Sequence, residues 1–144
     1  MTESTHPGTR SGGGAAENTD KADAADTAAL DRAVDIALTH FAREGYTSTK
    51  LDTIAREVGM SKRMLHYHFG DKRGLYAAAL RLALEQLAPP ENILNRSHAV
   101  PVEGMRRFVD ALYHAFLHNP DAVRLILREN LDPAVAVEDA SALA

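Results

Sequence analysis

The sequence predicts an all-α fold, and three observations support this assignment. Glycines, prolines and residues that can cap helices occur along the chain at spacings that match the lengths of short or medium helices. No segment shows the alternation of apolar and polar residues that marks a half-buried strand. Apolar residues instead recur at helical spacing, first in Leu30, Ala33, Val34, Ala37, Leu38 and Phe41.

The first predicted helix spans about residues 28–44 and ends before Gly45. The preceding segment, residues 1–26, is rich in Thr, Ser, Gly, Ala and acidic residues and contains three consecutive glycines. We expect this tail to be disordered, because it carries too little apolar surface to offset the entropy lost on ordering.

Two short helices joined by a tight turn follow, at about residues 50–58 and 62–69. Thr49 is expected to cap the first of them, and Gly59 suits the left-handed conformation that ends it. Ser61 is expected to cap the second. The first three helices are predicted to share a small core, made of Leu38, Phe41, Ile54, Val58, Leu65 and Phe69.

Three further helices are predicted. Asp71 can cap a helix that runs to about Leu87, before Pro89 and Pro90. Helices at about residues 102–117 and 122–130 complete the fold. The former has a side predicted to be buried, made of Met105, Val109, Leu112, Tyr113 and Phe116, and the latter carries the apolar residues Val123, Ile126 and Leu127.

Composition and charge narrow the class of function. The net charge is −4, but residues 47–75 carry six Lys or Arg against three acidic residues, an island of positive charge suited to local DNA contact. The chain has no Cys, no signal-like N-terminus and no membrane-spanning run, so we expect a cytoplasmic protein without a membrane partner. No catalytic motif is present, so we expect neither an enzyme nor a cofactor.

The helix at 62–69 is the most informative segment for function. Leu65 and Phe69, four residues apart, are its main apolar anchors, and its other side chains are cationic, aromatic or imidazole-bearing. A short helix that buries so little and offers so many partners for phosphates and base edges suits the major groove of DNA. The alternative from the residues alone is an ordinary amphipathic helix with a solvated cationic face.

A set of positions with fixed gaps runs through this region. They are Gly45-Tyr46, Thr49, Ile54-Ala55, Gly59, Ser61-Lys62, Leu65, Tyr67-His68-Phe69, Lys72 and Leu75. This pattern, over about Leu30 to Leu87, resembles the N-terminal domain of the TetR (tetracycline repressor) family. The resemblance implies a helix-turn-helix DNA-binding domain at 27–71, followed at 72–144 by a linker helix and a partial helical domain for ligand binding and dimerisation.

The resemblance also implies DNA-contacting residues. Those expected near base edges or adjacent phosphates are Lys62, Arg63, Met64 and His66, and those expected at phosphates are Thr49, Lys50, Tyr67, His68 and Lys72. Two positions depart from the pattern: His66 stands where Tyr is common, and Arg63 stands where a small residue is frequent. Arg73 places a positive charge in the first turn of a predicted helix, where it opposes the helix dipole. A nearby phosphate would relieve this conflict.

The function implied is a ligand-responsive transcriptional repressor that binds double-stranded DNA, at a palindromic operator, as a dimer. Since relatives continue for several more helices, we expect the chain to be short or truncated in its ligand-binding part, which puts the effector pocket and the homodimer interface in question. One alternative is a helical protein-interaction module derived from such a regulator, without operator binding of its own. Another is a metal- or ligand-binding helical protein, suggested only by His114 and His118 at i, i+4.

Overall fold

The computed structural model describes residues 15–90 and 101–134 of the chain. In these two ranges the helices are α1 (Ala15–Glu44), α2 (Leu51–Val58), α3 (Lys62–Phe69), α4 (Lys72–Leu87), α5 (Pro101–His118) and α6 (Pro120–Leu131). No described residue lies in a strand, which confirms the all-α prediction. None of these helices has both the length and the hydropathy needed to cross a bilayer.

Helix α1 starts earlier than expected. It begins at Ala15, so the prediction of a disordered tail is wrong for residues 15–26, while residues 1–14 lie outside the described residues. Seven of the fifteen residues from 15 to 29 are Ala, the residue with the highest helix propensity. Once the packed half of α1 has formed, each added residue gains a hydrogen bond without a second nucleation cost.

The core lies where α1 packs against α2, α4 and α6. Four of the six predicted core residues are buried, namely Leu38, Phe41, Ile54 and Leu65, and the other two, Val58 and Phe69, pack partly buried against them. The buried face of α4 supplies the rest of this core, including Leu75, Tyr76 and Leu80. The helix-turn-helix segment therefore rests on a scaffold formed by α1 and α4.

The predicted caps of α3 and α4 are confirmed. The Ser61 hydroxyl accepts a hydrogen bond from the Met64 N–H at 3.1 Å, and the Asp71 carboxylate accepts one from the Gly74 N–H at 2.8 Å. The predicted cap of α2 is wrong. Lys50 occupies the N-cap position without a side-chain hydrogen bond, and the Thr49 hydroxyl donates backward to the Gly45 carbonyl at 2.7 Å.

His40 joins α1 to α2 through two carboxylates. Its Nδ1 lies 2.8 Å from Glu44 Oε1 on α1, and its Nε2 lies 2.7 Å from Glu57 Oε2 on α2. A carboxylate only accepts hydrogen bonds, so both contacts are satisfied only by the protonated imidazole. Partial burial lowers the pKa of His40, but the hydrogen bonds and charges of Glu57 and Glu44 outweigh it and raise the pKa above 6.5.

This arrangement predicts a pH-dependent stability. Because the pKa of His40 is higher in the folded chain, its contribution is complete below about pH 6.5 and is lost as the pH rises through the raised pKa. Both carboxylates are about half exposed, so we expect the free energy of unfolding to fall by only about 0.5 kcal/mol between pH 6 and pH 8. Urea unfolding at both pH values measures it. His40→Gln should remove this part of the pH dependence, and an unchanged difference would contradict the assignment.

Helix α6 connects the distal part of the chain to the helix-turn-helix scaffold. Tyr76 on α4 donates a hydrogen bond to Glu129 Oε2 at 2.9 Å, and Arg128 donates from Nε to the Ala42 carbonyl at 2.8 Å. The buried face of α6 consists of Ala122, Leu125 and Glu129. Of the apolar residues noted in the sequence, Val123 and Ile126 are partly buried, and Leu127 is 56% exposed.

Helix α5 forms as predicted, but the side assigned to the core is wrong. Met105, Val109, Tyr113 and Phe116 are between 50% and 60% exposed, and Leu112 is only partly buried. The reason is that α5 is apolar on more than one face. It packs against α4 and α6, and within the described ranges nothing covers the Met105–Phe116 side.

Candidate nucleic-acid interface

Helix α3 projects most of its side chains away from the protein. Leu65 is buried and Phe69 is partly buried, and these two residues anchor the helix to the core. The six exposed residues are Lys62, Arg63, Met64, His66, Tyr67 and His68. This separation follows from helical spacing, since the two anchors lie four residues apart on one face.

The turn before α3 sets the angle between α2 and α3. Gly59 adopts the left-handed conformation with φ of 80°, where a residue with a Cβ would be strained. The N–H groups of Gly59 and Met60 both bond to the Ala55 carbonyl, at 3.0 and 2.9 Å. These bonds end α2 abruptly, so that only three residues separate Val58, the last residue of α2, from Lys62, the first residue of α3.

Lys62, at the start of α3, is engaged within the protein. Its Nζ lies 3.1 Å from Asp52 Oδ1 on α2. This pair was not predicted from the sequence, because two residues ten positions apart on different helices carry no periodic signal. Both side chains are more than half exposed, so the pair is worth well under about 1 kcal/mol, and a phosphate can compete for the lysine.

Arg63, Met64 and Tyr67 are neighbouring exposed side chains of α3. Met64 is 44% exposed and Tyr67 is 80% exposed, both large values for side chains with apolar surface. The ring of His68 lies edge-on to Tyr67, with 5.1 Å between the centroids. This part of α3 thus presents a guanidinium, a thioether and a phenol side by side.

His66 is exposed but held in place. Its Nδ1 lies 2.9 Å from the carbonyl oxygen of Gly70, which follows the last residue of α3. The N–H of Gly70 in turn donates to the His66 carbonyl at 2.9 Å. The imidazole is therefore tied to the C-terminal end of its own helix.

The three predicted phosphate contacts outside α3 have different surroundings. Lys50 is exposed at the start of α2. Lys72 Nζ lies 4.7 Å from the centre of the Tyr46 ring and 3.3 Å from the Thr47 carbonyl oxygen, and burial lowers its pKa. Thr49 is 1% exposed, so its side chain cannot reach DNA without a rearrangement, and we exclude it from the proposed contacts.

The His114 and His118 pair does not form part of a larger metal-ligand cluster. Their rings stack with centroids 5.9 Å apart, and each Nδ1 is hydrogen-bonded to the backbone carbonyl four residues earlier. Among the described residues no group of three or more His, Cys, Asp or Glu could hold a metal ion.

Comparison with known proteins identifies two matching models of one family. The model described as bacterial regulatory proteins of the tetR family matches residues 33–79, which include α2, α3 and the turn between them. The model described as a tetracyclin repressor-like C-terminal domain matches residues 101–144. Together the two models cover well over half of the chain.

Curated relatives agree with this result over part of their length. The chain is 37% identical over 57 residues to the biofilm operon icaADBC HTH-type negative transcriptional regulator IcaR of Staphylococcus aureus, covering 40% of this chain and 31% of IcaR. It is 26% identical over 91 residues to the HTH-type transcriptional repressor NicS of Pseudomonas putida, covering 63% of this chain and 43% of NicS. The chain thus spans less than half of these relatives.

Solved structures share the fold. A HlyIIR mutant protein superposes with a TM-score of 0.68 at 22% identity, over 81% of this chain and 62% of that chain. The TetR family transcriptional regulator PfmR from Thermus thermophilus superposes with a TM-score of 0.61 at 27% identity, over 79% of this chain and 62% of that chain. These structures share the fold, and the two family models show that the chain belongs to the TetR family of bacterial regulatory proteins.

Proposed function

We propose that this protein is a transcriptional regulator that binds a palindromic DNA operator by inserting α3 into the major groove. The observation that carries the proposal is the exposure of six of the eight side chains of α3, although the helix is anchored to the core by Leu65 and Phe69. A helix held this way leaves its cations and aromatic rings free for phosphates and base edges. Lys50, Lys72 and Arg73 flank it as candidate phosphate contacts.

Selection from a random pool of DNA duplexes tests the proposal without assuming any operator sequence. We expect the purified chain to enrich an inverted repeat whose half-sites are about one helical turn, roughly 10 base pairs, apart. Its affinity, measured by mobility shift, should fall steeply as salt rises, because phosphate contacts release counterions. Enrichment of no sequence would contradict the proposal.

We propose repression, under the control of a small-molecule effector, as the mode of action. IcaR is named as a negative transcriptional regulator and NicS as a transcriptional repressor, and these relatives support repression rather than activation. A cleft of about 470 Å³ between the loop after α1 and the end of α6 supports a ligand, since small-molecule sites have volumes of this order. Tyr46 lines this cleft and also supports Lys72, so an occupant would act close to a proposed phosphate contact.

We propose that a second copy of the chain covers the exposed side of α5. Val102, Met105, Val109, Tyr113 and Phe116 on this side are 50% to 78% exposed. Their uncovered area is roughly 500 Å², taking about 150–250 Å² for each large side chain. Two copies packed on this face would therefore bury about 1,000 Å², near the lower limit for a specific interface. A dimer would match the two halves of a palindrome.

The double substitution Val109→Glu and Phe116→Glu tests this interface. We expect it to convert a dimer into a monomer, because four carboxylates would be desolvated in the contact. Light scattering over a concentration series measures the mass. Arg107→Ala, on the same helix but ion-paired to Glu103, is the matched control and should stay dimeric. A wild-type chain that remains monomeric at high concentration would contradict self-association through α5.

The exposed side of α5 also favours the alternative of an interaction module that binds another helical protein. Such a module would not depend on Arg63, His66 or Tyr67. One comparison distinguishes the DNA-binding regulator from the interaction module. Substitutions in α3 should abolish DNA enrichment only if the chain itself reads an operator. A chain that enriches no DNA and yet associates through α5 would support the interaction module.

A further inference from the structure

The hydrogen bond between His66 and Gly70 determines which imidazole nitrogen carries a proton. Nδ1 lies 2.9 Å from the Gly70 carbonyl oxygen, and a carbonyl oxygen can only accept. The hydrogen must therefore reside on Nδ1. In the neutral ring, Nε2 then has a free lone pair and acts as a hydrogen-bond acceptor.

The backbone of Gly70 holds this tautomer in place. Gly70 has φ of 79° and ψ of −75°, a conformation that is unfavourable for residues with a Cβ. This turn points its carbonyl oxygen back toward the last turn of α3, where it meets His66. The reciprocal bond from the Gly70 N–H to the His66 carbonyl, at 2.9 Å, fixes the same segment from the other side. His66 itself is exposed.

The charges of α3 show why an acceptor at His66 would bind a different kind of group from its neighbours. His66 lies one turn after Lys62 and three residues after Arg63, on the same edge of the helix. Lysine and arginine side chains only donate, so they favour phosphates and the acceptor atoms of guanine. An imidazole nitrogen with a free lone pair requires the opposite partner, namely a donor. In the major groove the bases offer donors only as the exocyclic amino groups of adenine N6 and cytosine N4.

We propose that His66 Nε2 reads an exocyclic amino group in the major groove, so that His66 specifies adenine or cytosine at one position of each half-site. This inference rests on the proposed function, because it assigns a base class to one side chain of the α3 surface. His66 acts by direct contact with the base, and Gly70 is the positioning residue that keeps the lone pair available. Guanine and thymine offer only acceptors to the same atom and are disfavoured.

The experiment compares duplexes selected at pH 8 by the wild-type chain, by His66→Ala and by His66→Arg. The wild-type chain should enrich one base pair at a His66-dependent position of each half-site. Every base pair carries one amino donor in the major groove, so the replacement of that amino group, described below, tests the contact itself. His66→Ala should lose the preference at that position and keep the others. His66→Arg, which only donates, should change the preference to guanine. His118→Ala, which removes an exposed imidazole at the end of α5, is the matched control and should keep the wild-type preference.

A second measurement removes the amino group itself. In the selected duplex, adenine is replaced by purine, or cytosine by pyrimidin-2-one, so that only the exocyclic group is lost. We expect the wild-type affinity to fall about 3- to 10-fold, the range for one hydrogen bond, and the affinity of His66→Ala to be unchanged by the replacement. Using the His66→Ala chain as reference cancels the effect of the modified base on pairing.

The possible results are distinct. The absence of any His66-dependent position, or a wild-type affinity that does not change when the amino group of that base pair is removed, would overturn the inference while leaving DNA binding established. Equal losses for wild type and His66→Ala on amino-group removal would do the same. Failure of the wild-type chain to enrich any sequence would overturn both the inference and the proposed function. Adenine and cytosine as outcomes are separated by the two base replacements.

Discussion

Replacing Lys62, Arg63 and Tyr67 together by Ala is expected to lower operator affinity by at least about a hundredfold. Arg63 is the candidate for a paired hydrogen bond to a guanine edge, which alone is worth about 1–3 kcal/mol of discrimination. Lys62 and Tyr67 add phosphate contacts, and each cation removed from a phosphate should reduce the slope of log affinity against log salt by about 0.9. Mobility shift on the selected operator at several salt concentrations measures both effects.

The design separates lost recognition from lost structure. Tyr67 is 80% exposed, and Lys62 contributes only a surface ion pair with Asp52, so we expect thermal stability close to that of the wild type. Arg106→Ala with Arg107→Ala removes the same number of positive charges from α5 and should leave operator affinity nearly unchanged. If the triple variant folds normally and still binds the operator like the wild type, α3 is not the element that reads DNA.

Local interactions made α3, α4 and the turn before α3 predictable from the sequence. The caps of α3 and α4 depend on Ser61 or Asp71 and a backbone N–H three residues later, so the residue type and its position are sufficient. The left-handed Gly59 and the four-residue spacing of Leu65 and Phe69 are equally local. These few features place α3 on the surface, which explains why the candidate interface was largely predicted.

Two features of the fold did not follow from the sequence pattern. Thr49 has the residue type of a cap, but the turn at Gly45, with φ of 86°, brings a carbonyl within reach of its hydroxyl and buries it. Glu129 is 2% exposed because Tyr76, 53 positions earlier, donates to it. Neither outcome follows from periodicity, since the first depends on the conformation of the loop after α1 and the second on the packing of α4 against α6.

The buried face of α5 shows the same limit. A helix that is apolar on several sides has no unique core face, and the sequence pattern of Met105 to Phe116 fits a buried side as well as an interface. In the structure α4 and α6 contact α5, and the predicted side stays exposed. The exposed side of α5 therefore suggests association with another chain, because large contiguous apolar surfaces are rare on monomers.

Truncating Phe41 is expected to have the largest effect on stability, because this ring packs α1 against α4 and the loop after α1. Phe41 is completely buried, and its ring centre lies 6.0 Å from that of Tyr46 and 4.9 Å from that of Tyr76. Phe41→Ala should lower the free energy of unfolding by about 3–5 kcal/mol through lost burial and the cavity left behind. Chains of this size are commonly stable by only about 5–15 kcal/mol.

The same substitution should weaken DNA binding before the chain unfolds. Tyr46 stacks on Phe41 and supports the ammonium of Lys72, so a collapsed cavity would displace a proposed phosphate contact. Phe41→Leu is the matched variant, since it refills most of the volume and should lose only about 1–1.5 kcal/mol. Urea unfolding gives the stabilities, and mobility shift at low temperature gives the affinities. A Phe41→Ala chain as stable as the wild type would show that the three rings do not hold α1, α4 and the loop after α1 together.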